Sequence, residues 1–298
     1  KHWLYLHSPI KIYKIISKIK PILIIVENEP HSLITIEIFT LYLIWSFLNK
    51  KKKKFIIFSW DNLDRRDNPF RNIYKIFIDK FLIKRIDLVI CGNIKCKKNF
   101  ILRGIKEENL TVHPQVGIDT KAIKTIYKLN TNSINKTQIF YCGRIVYEKG
   151  IHILIKCHEK LLKNGYEVNT IIAGNGSGKY YRKIKNFFSA IKALQIIPAL
   201  KKDEMYKRFE ESDIFVLPSI ETKEWAEQFG LTIAEAMASS KCLALGSNCG
   251  AIPEVLGNKE LVFEQNSVDS LYEKIKYFLL NKKVKEKYSL EQSKFSQD

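Results

Sequence analysis

The sequence lacks the cysteine and histidine patterns of metal-binding and disulfide-rich proteins. No C-x-x-C pair and no histidine at zinc-site spacing accompanies its six cysteines, which are Cys91, Cys96, Cys142, Cys157, Cys242 and Cys249. A zinc module or a disulfide scaffold is therefore not indicated, and we expect reduced, mostly buried thiols, as is typical of cytoplasmic proteins. A DXD-type motif is absent as well. We accordingly expect no metal ion and no other cofactor.

Long apolar runs are also missing. The apolar stretch 33–48 is shorter than the ~20 residues that cross a membrane, and it contains Glu37. It is typical of a buried helix that connects two strands. No secretory signal peptide is visible either, and these observations together favour a cytoplasmic protein.

Acidic residues are scarce relative to basic ones, with 31 Asp and Glu against 50 Lys and Arg and a formal net charge of +19. The lysines are spread through the chain and no nucleic-acid-binding module is recognisable, so we expect no nucleic-acid partner. The lysine run 50–54 and the basic stretch 75–85 favour peripheral contact with an anionic membrane surface. A solvated lysine-rich surface is the alternative.

Strand-like runs alternate with helical stretches, which predicts two α/β domains with parallel sheets. The polar segment 124–136 is rich in turn formers and is expected to link an amino-terminal domain, 1–123, to a carboxyl-terminal domain, 137–298. The predicted strands are 22–26, 55–59, 87–90, 138–141, 168–173, 214–217 and 242–245, and the predicted helices are 33–48, 72–83, 151–164, 203–210, 231–239 and 268–280.

Glycines and polar residues directly follow four of the predicted strands. They are Gly143-Arg144, Gly174-Asn175-Gly176, Pro218-Ser219 and Ser247-Asn248. The carboxyl ends of parallel strands share one crevice, so we expect these loops to converge on one ligand site. Glycines, helix starts and cations together predict a ligand that contains phosphate. For Gly174 and Gly176, close approach to that ligand is one explanation, and a plain turn is the alternative.

Two glutamates, Glu227 and Glu235, are separated by seven residues, and the second lies on a helix of small and apolar residues. A carboxylate on such a helix must either reach solvent or meet a dedicated partner, and a pair of ligand hydroxyls is one such partner. Glu227, Phe229 and Gly230 immediately precede the helix, where unpaired backbone N–H groups and the helix dipole favour an anion.

The motifs occur in a fixed order along the chain. They are Gly143-Arg144 with Lys149-Gly150, residues 173–176, residues 213–219, the paired glutamates, and residues 250–254. This ordered set resembles the retaining family-4 (group 1) glycosyltransferases. The resemblance implies the GT-B fold, in which two Rossmann-like domains face each other across a cleft. It also implies transfer of a sugar from a nucleotide sugar to a glycan or lipid-linked acceptor, in bacterial cell-surface polysaccharide, lipopolysaccharide or glycolipid synthesis.

The resemblance also implies roles for individual residues. Arg144 and Lys149 would bind the diphosphate, Glu227 would face the transferred sugar, and Glu235 would bind the ribose hydroxyls. Further contacts to the nucleotide sugar are expected from Gly143, Gly174, Gly176, Phe229, Gly230 and Leu231, and base contacts from Ile197 and Pro198. Pro198 stands where the family usually has Gly, so the base stays undetermined among uracil, guanine and adenine.

The amino-terminal part resembles a subset of the same enzymes. The matching segments are residues 27–30, then Asn62, Arg66, Pro69 and Phe70, and residues 113–119. Glu29 and His31 are the candidate acceptor-side residues, with a helix-capping or surface role as the alternative. Only about three strands are recognisable before the linker, whereas five or six are common, so we expect the first strand–helix units of this domain to be absent from the sequence and the exposed sheet edge to favour association.

Two other functions are compatible with parts of the same sequence pattern. One is a different GT-B protein, such as a sugar-nucleotide epimerase, or a catalytically inactive relative. The other is a basic protein that binds nucleic acid or a membrane without catalysis.

Overall fold

The structure is a computed structural model that describes residues 7–50, 54–63, 73, 77, 80–114, 116–120, 123, 136–188, 191–239 and 241–296. The chain divides into an amino-terminal unit, Lys1–Gln115, and a carboxyl-terminal unit, Val116–Asp298. Apart from Lys136, the expected linker 124–136 lies outside the described residues and stays a prediction. Arg66, Pro69, Phe70 and much of the predicted helix 72–83 also lie outside them.

The described part of the amino-terminal unit contains a parallel sheet in the order β1-β2-β3-β4. Its strands are β1 Leu23–Glu27, β2 Lys54–Ser59, β3 Leu88–Cys91 and β4 Leu110–Val112, and its α-helices include α1 Pro9–Ile19, α2 Leu33–Leu48 and α3 Ile94–Leu102. The predicted strands β1 to β3 and the helix α2 are confirmed within a residue or two at their ends. Helices α1 and α3 and strand β4 were not predicted from the sequence.

Helix α2 begins where the side chain of Ser32 accepts a hydrogen bond from the backbone N–H of Thr35, which satisfies one free group of the first turn. Phe39 and Tyr42 on its buried face contact Phe55 of β2, with ring centroids 4.9 and 5.7 Å apart. These aromatic contacts attach the helix to the sheet. Within the described ranges, no helix combines the length and apolar character needed to cross a membrane.

The carboxyl-terminal unit contains a six-stranded parallel sheet in the order β10-β9-β8-β5-β6-β7. The strands are β5 Thr137–Cys142, β6 Val168–Ala173, β7 Leu194–Ile197, β8 Ile214–Leu217, β9 Leu243–Ser247 and β10 Val262–Phe263. The helices are α4 Ile151–Lys163, α5 Gly178–Phe188, α6 Lys202–Glu211, α7 Leu231–Ala238, α8 Ile252–Leu256, α9 Val268–Leu280 and α10 Lys282–Phe295. The predicted strands β5, β6, β8 and β9 and the predicted helices α4, α6, α7 and α9 are confirmed, whereas β7, β10, α5, α8 and α10 were not predicted.

The chain order of this second sheet reverses at β5. From β5 the chain moves outward through β6 to β7, then returns to the other side of β5 as β8 and continues to β9 and β10. Ligands of open parallel sheets bind beyond the carboxyl ends of the strands at such a reversal. The loops after β5 and β8 therefore occupy the position where a ligand site is expected.

The core beneath these loops is aromatic and aliphatic. Phe140 of β5, Phe215 of β8 and Phe209 of α6 meet edge to face with ring centroids 5.4 to 6.1 Å apart. Each of the three is fully buried. The packing holds α6 against β5 and β8, the two central strands of the sheet. All six cysteines are buried free thiols, which confirms that expectation.

Candidate functional site

The loops after β5, β6 and β7 are connected by backbone hydrogen bonds. The N–H of Gly143 donates to the carbonyl of Ala173 over 3.0 Å, and that of Gly174 donates to the carbonyl of Ile197 over 3.0 Å. A third bond, 2.8 Å long, runs from the N–H of Ile145 to the carbonyl of Asn175. The loops after β5 and β6, which were expected to converge, therefore form one layer with the loop after β7 at the carboxyl edge of the sheet.

The glycines of these loops permit the close approach of neighbouring loops. A Cβ atom at Gly174 would lie 1.8 Å from the carbonyl oxygen of Gly143, and one at Gly176 would lie 2.4 Å from that of Ile145. Neither distance is sterically possible. Loop–loop packing thus accounts for both glycines, whether or not a ligand also approaches them.

Gly150 connects the loop after β5 to the loop after β8. Its φ of +63° is in the left-handed region, and a Cβ there would lie 1.8 Å from the carbonyl oxygen of Pro218. Next to this contact, the N–H of Ile220 donates to the carbonyl of Glu148 over 2.7 Å. Lys149, immediately before Gly150, is thereby held beside the β8 loop.

The two loops bring Lys149 and Glu227 into contact. Nζ of Lys149 donates to Oε2 of Glu227 over 2.5 Å, and Oγ of Ser219 donates to the same oxygen over 3.0 Å. The carbonyl of Ser219 in turn accepts from Oγ of Ser247 over 2.5 Å. The ammonium of Lys149 also lies 5.0 Å from the ring centroid of Trp225, a cation–π contact. A cation and a carboxylate are thus fixed together above β5, β8 and β9.

The backbone of Glu227 is fixed as tightly as its side chain. Its carbonyl accepts from the N–H of Ala251 over 2.9 Å. Gly250, with φ of +57°, approaches so closely that a Cβ there would lie 2.0 Å from that same carbonyl oxygen. The glycine of the 250–254 motif is therefore needed for the placement of Glu227.

Helix α7 begins four residues after Glu227. Gly230 precedes its first turn with φ of +85°, and a Cβ on this glycine would lie 3.7 Å from Cγ of Glu227. The first turn contains no acidic side chain, and Leu231 is exposed. The positive end of the helix dipole is therefore available to an anion beside Glu227. Phe229, which immediately precedes Gly230, is half-buried.

Arg144 lies at the surface directly after β5. Its carbonyl accepts a 2.9 Å hydrogen bond from the hydroxyl of Tyr141, which fixes the backbone of the residue. Within the described part of the chain, no carboxylate pairs with its guanidinium. A planar guanidinium that is exposed and not paired with a described carboxylate is suited to bind a phosphate of a ligand.

Glu235 is buried on the inner face of α7, with 4% of its surface exposed. The hydroxyl of Tyr206 donates to its Oε1 over 3.3 Å, and no other described residue donates to the carboxylate. Burial raises the pKa of Glu235, and Lys202 and the tyrosine bond act in the opposite direction. Of the two alternatives, contact with solvent or a dedicated partner, burial excludes the first, and the partner Tyr206, which lies 29 residues earlier, was not predicted from the sequence.

The expected base-contacting residues follow β7. Ile197 ends this strand, and Pro198 is exposed. The N–H of Ala199 donates to Oδ1 of Asn175 over 3.2 Å, which attaches this loop to the one after β6. Both residues therefore belong to the same loop layer as Gly143 and Gly174.

In the amino-terminal unit, Glu29 is half-buried. It accepts hydrogen bonds from Oγ of Ser59 over 2.5 Å and from the N–H of Trp60 over 3.2 Å. Burial, reinforced by the nearby charge of Asp61, raises the pKa of Glu29 to about 7. His31 is buried. The alternative of a surface position is therefore wrong for His31, and the residue that caps helix α2 is Ser32.

Among the residues that the structure describes, no group of three or more His, Cys, Asp and Glu side chains is arranged to hold a metal ion.

Known proteins are similar to this chain in sequence. The GPI3 subunit of phosphatidylinositol N-acetylglucosaminyltransferase from Saccharomyces cerevisiae is 29% identical over 212 residues, 68% of this chain and 45% of that protein. The capsular polysaccharide biosynthesis glycosyltransferase CapM of Staphylococcus aureus is 22% identical over 201 residues, 66% of this chain and 50% of that protein. The chain therefore spans about half the length of these relatives.

The fold matches that of HepE from Anabaena, whose crystal structure in complex with UDP superposes with a TM-score of 0.75 at 16% identity, covering 97% of this chain and 76% of that one. The expected class, two parallel-sheet α/β domains of the GT-B type, is thereby confirmed. The family model described as glycosyl transferases group 1 matches residues 128–294. Because this match covers more than half of the chain, including every strand and helix of the second sheet up to α9 and nearly all of α10, the chain belongs to the group 1 glycosyl transferases.

Proposed function

We propose that the protein transfers a sugar from a nucleotide sugar to an acceptor and that the carboxyl-terminal unit binds the nucleotide sugar. The observation that carries this proposal is the fixed contact of Lys149 with Glu227 beside the start of α7. A cation and a helix N-terminus suit a diphosphate, and a carboxylate next to them suits the hydroxyls of the attached sugar.

In this proposal Arg144 and Lys149 stabilise the charge that accumulates on the diphosphate as the bond to the sugar breaks. Lys149 is held in place before the ligand binds by Glu227 and Trp225, and the backbone of the exposed Arg144 is held by Tyr141. Preorganised charges of this kind are among the largest contributions to enzymatic rate enhancement. They supply the neutralisation for which other enzymes use a metal ion, and we propose that this protein needs none.

Glu235 would bind the ribose of the nucleotide. Its Oε1 already accepts from Tyr206, and its Oε2 accepts from no described residue. A buried carboxylate with an open acceptor is suited to a pair of hydroxyl donors. Ile197 and Pro198 would lie beside the base, and UDP is the first nucleotide to test because it is the ligand of HepE in the solved complex.

The stereochemistry, the acceptor and the location are inferred from the family resemblance and from the named relatives. We propose transfer with retention of the anomeric configuration, with the leaving phosphate helping to take the acceptor proton. The acceptor would be a glycan or lipid-linked glycan of cell-surface polysaccharide or glycolipid synthesis, bound by the amino-terminal unit with Glu29 and His31. The names of CapM and GPI3 support this class of acceptor. The basic excess supports peripheral attachment to the cytoplasmic face of an anionic membrane.

Thermal-shift and calorimetric screening of UDP, GDP and ADP sugars tests this proposal, because a ligand that binds only the folded state raises the unfolding temperature. We expect one nucleotide series to bind, with Lys149→Ala weakening it. Lys156→Ala, an exposed lysine on α4, is the matched control and should bind as the parent does. Absence of binding by every nucleotide, combined with tight and steeply salt-dependent binding of nucleic acid, would contradict the proposal.

A further inference from the structure

The carboxylate of Glu235 depends on one side chain for its orientation. The other residues of α7 are apolar apart from Thr232, and they offer the carboxylate no hydrogen bond. The hydroxyl of Tyr206 is the sole hydrogen-bond donor to the carboxylate among the described residues. A buried carboxylate with a single internal donor rotates easily when that donor is lost.

The position of Tyr206 is determined by the core. The residue is 1% exposed and lies on the inner face of α6 between Met205 and Phe209, which are buried as well. Phe209 contacts Phe140 and Phe215 of the sheet with ring centroids 5.7 and 5.4 Å away. Helix α6 is therefore held against the strands, and the phenol is presented to Glu235 from a rigid element.

The phenol is a hydrogen-bond donor at neutral pH. Burial raises the pKa of Tyr206, with Lys202 acting in the opposite direction. The ammonium of Lys202 lies 5.5 Å from the centroid of the ring. An ammonium only donates, so the proton of the phenol remains for the carboxylate.

We propose that Tyr206 is a positioning residue that holds Oε1 of Glu235 and thereby turns Oε2 toward the ribose hydroxyls of the nucleotide. This inference rests on the proposed function of Glu235. Preorganisation of this kind increases affinity because the side chain has no orientational freedom left to lose on binding. Its distinguishing consequence is that the contribution of the tyrosine appears only when the ribose hydroxyl is present.

The test measures the affinity of UDP, GDP and ADP and of their 2′-deoxy and 3′-deoxy analogues for the 298-residue protein by calorimetry. For the nucleotide that binds, we expect the parent to prefer the ribose form by about tenfold over at least one deoxy form, since a hydrogen bond to a charged group has this magnitude. In Tyr206→Phe the preference should fall to about twofold, while the affinity for that deoxy form stays unchanged. Tyr272→Phe removes a hydroxyl from a different helix, α9, and should keep the parental preference.

The outcomes separate the two hypotheses. If the parent binds a nucleotide but does not distinguish ribose from either deoxyribose, the proposed function of Glu235 is wrong. If the parent distinguishes them and Tyr206→Phe keeps the full preference, the role of Tyr206 is wrong. An equal loss of affinity for both forms would also contradict it, because that is the result of a merely structural residue.

A second pair of variants covers the case in which Tyr206→Phe folds poorly. Glu235→Ala removes the buried carboxylate that accepts the hydrogen bond of Tyr206. Adding Tyr206→Phe to this variant therefore leaves no buried carboxylate without its donor, and the double variant should fold. We expect the double variant and Glu235→Ala to bind the ribose nucleotide equally. A further loss of more than about threefold in the double variant would contradict positioning through Glu235.

Discussion

Nζ of Lys149 and Oε2 of Glu227 lie 2.5 Å apart, with only 14% and 11% of their side chains exposed. The ion pair joins a residue after β5 to a residue before α7, 78 positions later in the chain. Two groups that the resemblance assigns to adjacent parts of one ligand are thus already in contact in the folded chain. Their arrangement does not depend on the ligand.

Breaking this ion pair should cost stability as well as activity. Lys149→Met leaves the carboxylate of Glu227 buried without its cation, a change that lowers the free energy of unfolding by about 3 kcal/mol for buried pairs. The double variant Lys149→Met with Glu227→Gln should recover most of that stability, because no uncompensated charge remains, and should stay inactive. Denaturant unfolding and turnover of the same preparations measure both quantities. Recovery of activity in the double variant would contradict a role for the two charges in the reaction.

Glu235→Gln should weaken nucleotide binding with little effect on stability. The amide keeps the size of the side chain but is a poorer acceptor than a carboxylate, so affinity should fall by about 1.5 kcal/mol, roughly tenfold. Calorimetry and thermal unfolding of the variant check the two expectations. Unaltered affinity together with a large loss of stability would make Glu235 a structural residue.

Glu29 should make the stability of the amino-terminal unit depend on pH. Its pKa is about 7 in the folded protein and 4.5 ordinarily, so the folded state holds a proton that the unfolded state releases between these values. Stability from this group is therefore complete below pH 4.5 and declines as the pH rises toward 7. Glu29→Gln imitates the protonated carboxyl and should abolish that decline.

The measurement is the unfolding temperature of the parent and of Glu29→Gln between pH 4.5 and 8. The unfolding temperature of the variant should increase relative to that of the parent as the pH rises. A constant difference across this range would mean that Glu29 has an ordinary pKa in the folded chain.

Turnover should persist when metal ions are removed. Arg144, Lys149 and the start of α7 provide the positive charge that the diphosphate needs. Assays in EDTA and after readdition of Mg²⁺ or Mn²⁺ test this expectation. Loss of turnover in the chelator with recovery on readdition would show that the cations of the chain are insufficient.

Much of the fold could be predicted because hydrophobic patterns report burial. The spans of α2, β6, β8 and α9 match their predicted ranges, since each combines an apolar pattern with clear ends. The sequence of helix α10 lacks such an apolar pattern. Its buried residues include Ser289, Gln292 and Ser293, and Gln292 pairs with the backbone N–H and carbonyl of Ala244 in β9. A helix that packs through polar side chains lacks the periodicity on which the prediction rests.

The site was predictable to a similar degree. Residues after strands could be assigned to one edge of the sheet from topology alone, and the resemblance supplied their chemistry. The partners of these residues could not be found in the same way. In the sequence, Tyr206 has the pattern of an ordinary core aromatic residue of α6, and Trp225 has that of a loop residue. Their contacts with Glu235 and Lys149 join distant segments and leave no local pattern in the sequence.

The most direct test of the account is the turnover of Arg144→Ala with the nucleotide sugar that the parent uses. Arg144 is exposed and its guanidinium pairs with no carboxylate among the described residues, so the variant should fold as the parent does. We expect turnover to fall by ~10²-fold or more, the magnitude of losing one preorganised charge. Arg182→Ala, an exposed arginine on α5, should keep the parental rate. Parental turnover by a folded Arg144→Ala protein would contradict the assignment of the diphosphate site.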